Sequence, residues 1–314
     1  MAAGGSQRAV ITALFANLGI AIAKFVGFLI TGASSMLAES IHSVADTTNQ
    51  GLLLLGGKRA VKDANDTFHF GYGRERYFWS FVVALLLFSV GAGYALYEGI
   101  LKILDPHEIS NLPVAIGILL FAIALEAYAF STAVREANKT RRNRTWWQFV
   151  RTTRNPELPV VLLEDSGAML GLVVAIGGIS LSEITGNAIW DGIATFIIGV
   201  ILAAIAVMLA VEMKSLLIGE SADPYTTKKI TEALGKESSI VRVIELKTQH
   251  LGPEDLLIVA RVKFDEKLGG DELASAIDGV HARLKQAIPM ADFVYIEPEL
   301  HSGSPALEAE TDSH

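Results

Sequence analysis

The stretch Ala38-Glu39-Ser40-Ile41-His42-Ser43-Val44-Ala45-Asp46-Thr47-Thr48-Asn49 places an imidazole and a carboxylate inside an otherwise apolar neighbourhood. His42 and Asp46 are four apart, so on a helix they share one face, with Cβ atoms about 5–6 Å apart, and Asn49 continues that face. A ring nitrogen and a carboxylate oxygen converging in low dielectric make half of a tetrahedral divalent-metal site. The bland alternative is a His–Asp pair that satisfies itself and locks two helices; two desolvated groups are a costly way to do that. A second stretch, Val160-Val161-Leu162-Leu163-Glu164-Asp165-Ser166-Gly167-Ala168, sets two adjacent carboxylates in apolar surroundings. They repel unless a cation or a proton is supplied. The chain has no cysteine, so a metal here must be held by His, Asp, Glu or backbone oxygen. His42, Asp46, Asp165 and Glu164 are the candidate metal ligands.

The elements that must carry these residues follow from composition. Of 314 residues 51% are hydrophobic and only 19% charged, with a mean hydropathy of +0.41. That is too apolar for a soluble globule and excludes disorder. Six segments satisfy the need for about 20 mostly apolar residues: 10–30, 36–57, 78–101, 112–134, 159–179 and 189–211. The first lacks the short apolar core and small-residue cleavage site of a signal peptide. The loop after the second segment carries Lys58, Arg59, Lys62, Arg74 and Arg76, and the linker 135–158 carries seven further basic residues. By the positive-inside rule both termini are expected in the cytoplasm. The basic, tryptophan-containing stretch 139–154 reads as an interfacial, lipid-contacting linker.

Charge is unevenly placed. Residues 1–218 hold 16 acidic and 16 basic side chains, and residues 219–314 hold 18 and 10, so the whole net charge of −8 lies in the last third. An acidic domain is expected to follow a neutral membrane domain. Nucleic acid is excluded as a partner by the lack of a clustered basic face. In the acidic part, Asp223-Pro224 opens a helix over 224–234. Alternating segments over 240–247 and 256–264 flank the Gly252-Pro253 turn. A helical period runs over 271–287, and a short strand over 293–296 stops at Pro298. The order α-β-β-α-β suits a small open-faced α/β sandwich. The expected division is a transmembrane domain over 1–215, a cytoplasmic domain over 216–300 and a disordered tail over 301–314.

Other polar residues in the apolar segments are less telling. Lys24 is expected to snorkel to the outer end of its span. Asn17 lies deeper, as support for the site or helix–helix glue. Glu126 reads equally as a packing pair or a proton relay, and Asp191 as a helix cap or interfacial group.

These features resemble the cation diffusion facilitator family. The resemblance rests on six spans with an α/β domain, on His42-xxx-Asp46, and on Phe70-Gly71-Tyr72-Gly73-Arg74-Glu75-Arg76 before the third span. It covers roughly residues 6–299. It implies a homodimeric exporter of divalent metal, exchanging metal for protons, with a ferredoxin-like cytoplasmic domain that helps form the dimer. In zinc-selective members the fifth span also carries His-xxx-Asp. Here the His position falls on Val161, and Glu164-Asp165 resembles the zinc transporter nine-like branch instead. With one nitrogen fewer, an oxygen-richer site suits Mn²⁺ or Fe²⁺ better than a two-His site would. The family's loop site is shifted by one position, onto Asp66 and His69. The cytoplasmic binuclear site is expected to be lost, its positions falling on apolar residues and on Tyr295. His250 and His281 read as surface residues.

The expected function is therefore proton-coupled export of a divalent cation, zinc first, with Mn²⁺, Fe²⁺ or Cd²⁺ as further substrates. The setting is the lipid bilayer, by default a bacterial plasma membrane, and Asn17, Asn49 and Glu126 are the candidates for support or proton relay. One rival is a metal-sensing membrane scaffold that moves nothing. Another is an intramembrane metal-dependent hydrolase, against which stands the absence of His-Glu-xx-His and Gly-x-Ser-x-Gly. The chain is not read as an enzyme.

Overall fold

The computed structural model describes residues 2–31, 34–106, 112–141 and 143–299. The chain divides into two compact units, Met1–Ile218 and Gly219–His314.

The first unit is helical. Its elements are α1 (Ala2–Thr31), α2 (Ser34–Ala60), α3 (Glu75–Leu86), a π-helical turn (Leu87–Ala92), α4 (Gly93–Leu104), α5 (Leu112–Arg141), α6 (Trp146–Thr152), α7 (Glu157–Thr185) and α8 (Ile189–Ile218). Among the described residues five stretches are long and apolar enough to cross a membrane: Ser6–Gly27, Glu75–Leu104, Leu112–Arg141, Glu157–Thr185 and Ile189–Ile218. The chain is an integral membrane protein. The second of the six expected spans is α2, whose 27 residues make a helix about 40 Å long. It is too polar to stand with the five. Four of its polar side chains, Ser40, Ser43, Asn49 and Gln50, are buried. Ser40 Oγ donates to the Ala21 carbonyl at 3.0 Å, the kind of interhelical bond that substitutes for water in a bilayer.

Glycine sets how closely helices approach. A Cβ on Gly99 of α4 would lie 2.6 Å from Phe196 N of α8, one on Gly192 2.8 Å from Ile103 N, and one on Gly199 2.7 Å from Leu96 N. These three contacts run in opposite senses along the two helices, so α4 and α8 are antiparallel neighbours with backbones nearly touching. Lys102 and Asp191 pair across the same contact at 2.9 Å; Asp191 therefore serves as an ion-pair partner. Helix α7 ends at Gly186, whose φ of 63° supplies the left-handed cap that glycine adopts without strain. Its first six residues, Glu157 to Leu162, are all buried.

The basic linker is more ordered than its composition suggests. Thr145 and Gln148 form a capping box at the start of α6, each side chain engaging the other's backbone N–H. Phe149 is buried, and Arg141 lies over the Trp146 ring at 4.3 Å.

The second unit runs α9 (Pro224–Gly235), β1 (Ile240–His250), β2 (Leu256–Phe264), α10 (Gly270–Ala287) and β3 (Phe293–Pro298). Asp223 caps α9, accepting from Tyr225 N and Thr226 N at 2.9 and 3.2 Å. The sheet order is β1-β2-β3, antiparallel between β1 and β2 and parallel between β2 and β3. Leu256, Ile258, Ala260, Val262 and Phe264, every second residue of β2, join Ile230, Leu234, Val280 and Leu284 in one core, as a strand's period of two requires. The strands over 240–250 and 293–298 are longer than their apolar patterns, because ladder pairing continues past them. His250, expected at the surface, is buried at the end of β1, with Nδ1 3.3 Å from the Gly252 carbonyl oxygen. Glu237 is hydrogen-bonded by Arg283 and by Ser239, which hold its carboxyl below the usual range. The tail expected over 301–314 lies outside the described residues.

Candidate metal centre in the membrane helices

Helices α1, α2, α5 and α7 each bring polar side chains into one buried region. From α7, Asp165 is 1% exposed, and its Oδ2 has no hydrogen-bond partner among the described residues. From α5, Glu126 is also buried, with Oε2 in the same condition. A buried carboxylate oxygen left without a donor carries its full desolvation penalty, so this place is suited to a cation. Asp46 of α2 is half-buried and close enough to act electrostatically on Glu126, Glu164 and Asp165.

Glu164 is bonded quite differently from its neighbour. Asn49 Nδ2 donates to Oε1 at 3.1 Å and Gln50 Nε2 donates to Oε2 at 2.9 Å. Asn17 Nδ2 of α1 reaches Gln50 Oε1 at 3.5 Å. A carboxylate only accepts, so it dictates the orientation of both amides, and Gln50 is left presenting its oxygen to Asn17. The chain of donation thus runs from α1 through α2 to α7.

Asp46 and Asn49 also line a cleft of about 180 Å³ between α2 and the π-helical turn, closed by Leu86, Leu87, Val90 and Gly91. Single π turns inside α-helices are frequent at functional places.

Of the expected residues, Asn17, Asn49 and Glu164 are linked by hydrogen bonds through Gln50, and Asp46 and Glu126 stand within electrostatic reach of Asp165. Among the described residues no three His, Asp or Glu side chains come together closely enough to hold a metal. The His42 side chain, which the expected set requires, lies outside the described residues. Asp66 and His69 are both exposed in the loop between α2 and α3.

Several participants were not anticipated. Gln50 is off the His42–Asp46–Asn49 face by one residue, and its signal was simply an amide within an apolar span. Lys24 does not snorkel: it is buried, and its Nζ donates to Ser43 Oγ of α2 at 3.1 Å. Arg76, the last residue of the Phe-Gly motif, forks onto Glu157 of α7 at 2.5 and 2.6 Å and reaches Ser6 Oγ of α1 at 3.5 Å. That gives the motif a structural purpose, since it clasps three helices at one end of the bundle.

Residues 10–218 match the cation efflux transmembrane domain. The chain belongs to the cation efflux family, also called the cation diffusion facilitators. It is 31% identical over 266 residues to the proton-coupled zinc antiporter SLC30A9, mitochondrial, of Homo sapiens, covering 84% of this chain and 47% of that protein. That similarity agrees with the branch suggested by Leu163-Glu164-Asp165. It is 27% identical over 266 residues to metal tolerance protein C4 of Arabidopsis thaliana, covering 84% of this chain and 58% of that one. With magnetosome protein MamB of Paramagnetospirillum magneticum it shares 24% identity over 285 residues, 89% of each chain. The chain spans about half the length of the SLC30A9 proteins it matches.

Proposed function

We propose that this protein exports divalent metal cations, zinc first, in exchange for protons. Its ligands are His42 and Asp46 of α2 and Asp165 of α7, with Glu164 beside them. The observation that carries this reading is the buried Oδ2 of Asp165, which has no donor among the described residues while the neighbouring Glu164 has two. A bilayer-embedded carboxylate in that condition calls for a cation or a proton, and alternation between the two is antiport.

The coupling follows from ligand chemistry. His42 must be neutral and the carboxylates ionised to bind metal, so loading the site releases protons and protonation expels the metal. One imidazole among carboxylates makes an oxygen-rich set, in which Mn²⁺ and Fe²⁺ compete better than at a two-imidazole site; Cd²⁺ follows zinc. The reading includes α2 as a sixth span despite its polarity, both termini in the cytoplasm, and a bacterial plasma membrane. The acidic unit is read as a ferredoxin-like domain, and the working form as a homodimer.

The test is flux in proteoliposomes under an imposed pH gradient. Zinc entering the vesicles should drive protons out, with a rate that follows the gradient. Zinc bound without any flux would favour a sensing scaffold and overturn the proposal.

A further inference from the structure

We propose that Gln50 sets the metal preference of this site by holding Glu164 away from the metal. This rests on the reading that Asp165 binds the transported cation.

Glu164 and Asp165 are neighbours on α7 and both are buried. Both are carboxylates, and their hydrogen bonding separates them. Each oxygen of Glu164 is taken by an amide, from Asn49 at 3.1 Å and from Gln50 at 2.9 Å, whereas Oδ2 of Asp165 has no donor among the described residues. Asn49 and Gln50 are adjacent on α2 and point about 100° apart, and their amides reach the two different oxygens of Glu164. Gln50 is fully buried and its remaining amide oxygen is engaged by Asn17, so its rotamer is set from the α1 side. The clamp is therefore held in place by three helices.

The consequence is chemical selectivity. With Glu164 held, α7 offers one carboxylate. With Glu164 released, its longer side chain adds carboxylate oxygens to the same region, and oxygen-rich sets improve Mn²⁺ relative to Zn²⁺. Gln50 is a positioning residue, acting through Glu164.

Gln50→Met keeps length and volume but removes both the donor and the acceptor. Zn²⁺ and Mn²⁺ affinities are measured on the purified full chain by calorimetry, with Mn²⁺ electron paramagnetic resonance reporting the ligand environment. The Mn²⁺/Zn²⁺ affinity ratio should rise about tenfold in Gln50→Met, the low end of what loss of a supporting hydrogen bond does to metal sites. Gln50→Met/Glu164→Gln should return to the wild-type ratio, because no freed carboxylate remains. Glu164→Gln alone should leave the ratio unchanged, and this arm stands even if Gln50→Met does not fold. A folded Gln50→Met with the wild-type ratio, a double variant that keeps the shift, or a Glu164→Gln that shifts the ratio by itself would each overturn the clamp. Those failures leave metal binding by the wild type intact. A wild type that binds neither metal fails differently: it removes the Asp165 reading and the role of Gln50 with it.

Discussion

Arg76 and Glu157 meet through a two-bond fork, Nε to Oε1 at 2.5 Å and Nη2 to Oε2 at 2.6 Å, which ties the start of α3 to the first turn of α7. The side chains are 10% and 6% exposed, so water screens the pair poorly and the planar guanidinium is matched to both carboxylate oxygens. Removing one partner leaves the other charge buried. Glu157→Leu should therefore destabilise the protein by about 3 kcal/mol, near the lower bound for broken buried pairs. Arg76→Leu/Glu157→Leu should lose clearly less than the sum of its two single changes. Thermal unfolding of the four proteins in one detergent checks this, and strictly additive losses would contradict it.

Asp46→Ala should abolish transport while leaving the protein folded. Asp46 lines the cleft beside the π-helical turn and stands within electrostatic reach of Glu126, Glu164 and Asp165. Removing it takes away a proposed ligand and lessens repulsion among the remaining acids. Monodisperse Asp46→Ala protein that moves zinc at the wild-type rate would rule this assignment out.

Val161→His should shift preference toward Zn²⁺ and Cd²⁺ over Mn²⁺. Val161 is fully buried one turn before Asp165 on α7, and residues four apart share a face. The larger ring should cost about 1–3 kcal/mol in a packed setting. The readout is the ratio of transport rates for the metals. An unchanged ratio in folded protein would show that this face of α7 looks elsewhere.

How much of this was legible in the sequence depends on what each residue's signal reports. Hydropathy marks apolar length, which located five helices plainly and left α2 in a middle ground because Ser40, Ser43, Asn49 and Gln50 are satisfied by protein. Periodicity along one helix put Asn49 on the His42–Asp46 face, but Gln50 lies 100° away and acts only through a helix more than a hundred residues later. Lys24 was misread because its distance from the helix end says nothing about Ser43 standing beside it. The π-helical turn at 87–92 has no proline or other local sign. His250 looked isolated in sequence, yet pairing of β1 with β2 carries it into the interior. In the second unit, strict alternation in β2 and the Asp223-Pro224 cap sufficed for the order of elements.

The C-terminal unit should dimerise without metal. It has its own core, and the positions implied for a cytoplasmic binuclear site fall on apolar residues and Tyr295. Association therefore has to rest on its surface. A soluble fragment over 219–299 should sediment as a dimer in the presence of chelator. A fragment that is dimeric only with added zinc would contradict this.

The central claim is that Asp165 itself touches the transported metal while Glu164 supports it. Asp165→Asn removes the charge at the oxygen that has no donor among the described residues, and Glu164→Gln keeps a side chain of the same length within the amide clamp. The most direct measurement is zinc binding by calorimetry on the wild type and these two variants, paired with zinc-driven proton flux in the same preparations from pH 6 to 8, a range chosen to bracket ordinary imidazole titration at about 6.5. The account predicts lost binding and lost flux in Asp165→Asn. In Glu164→Gln it predicts near-wild-type binding with flux that depends less on pH. Full binding and full flux in Asp165→Asn would contradict it.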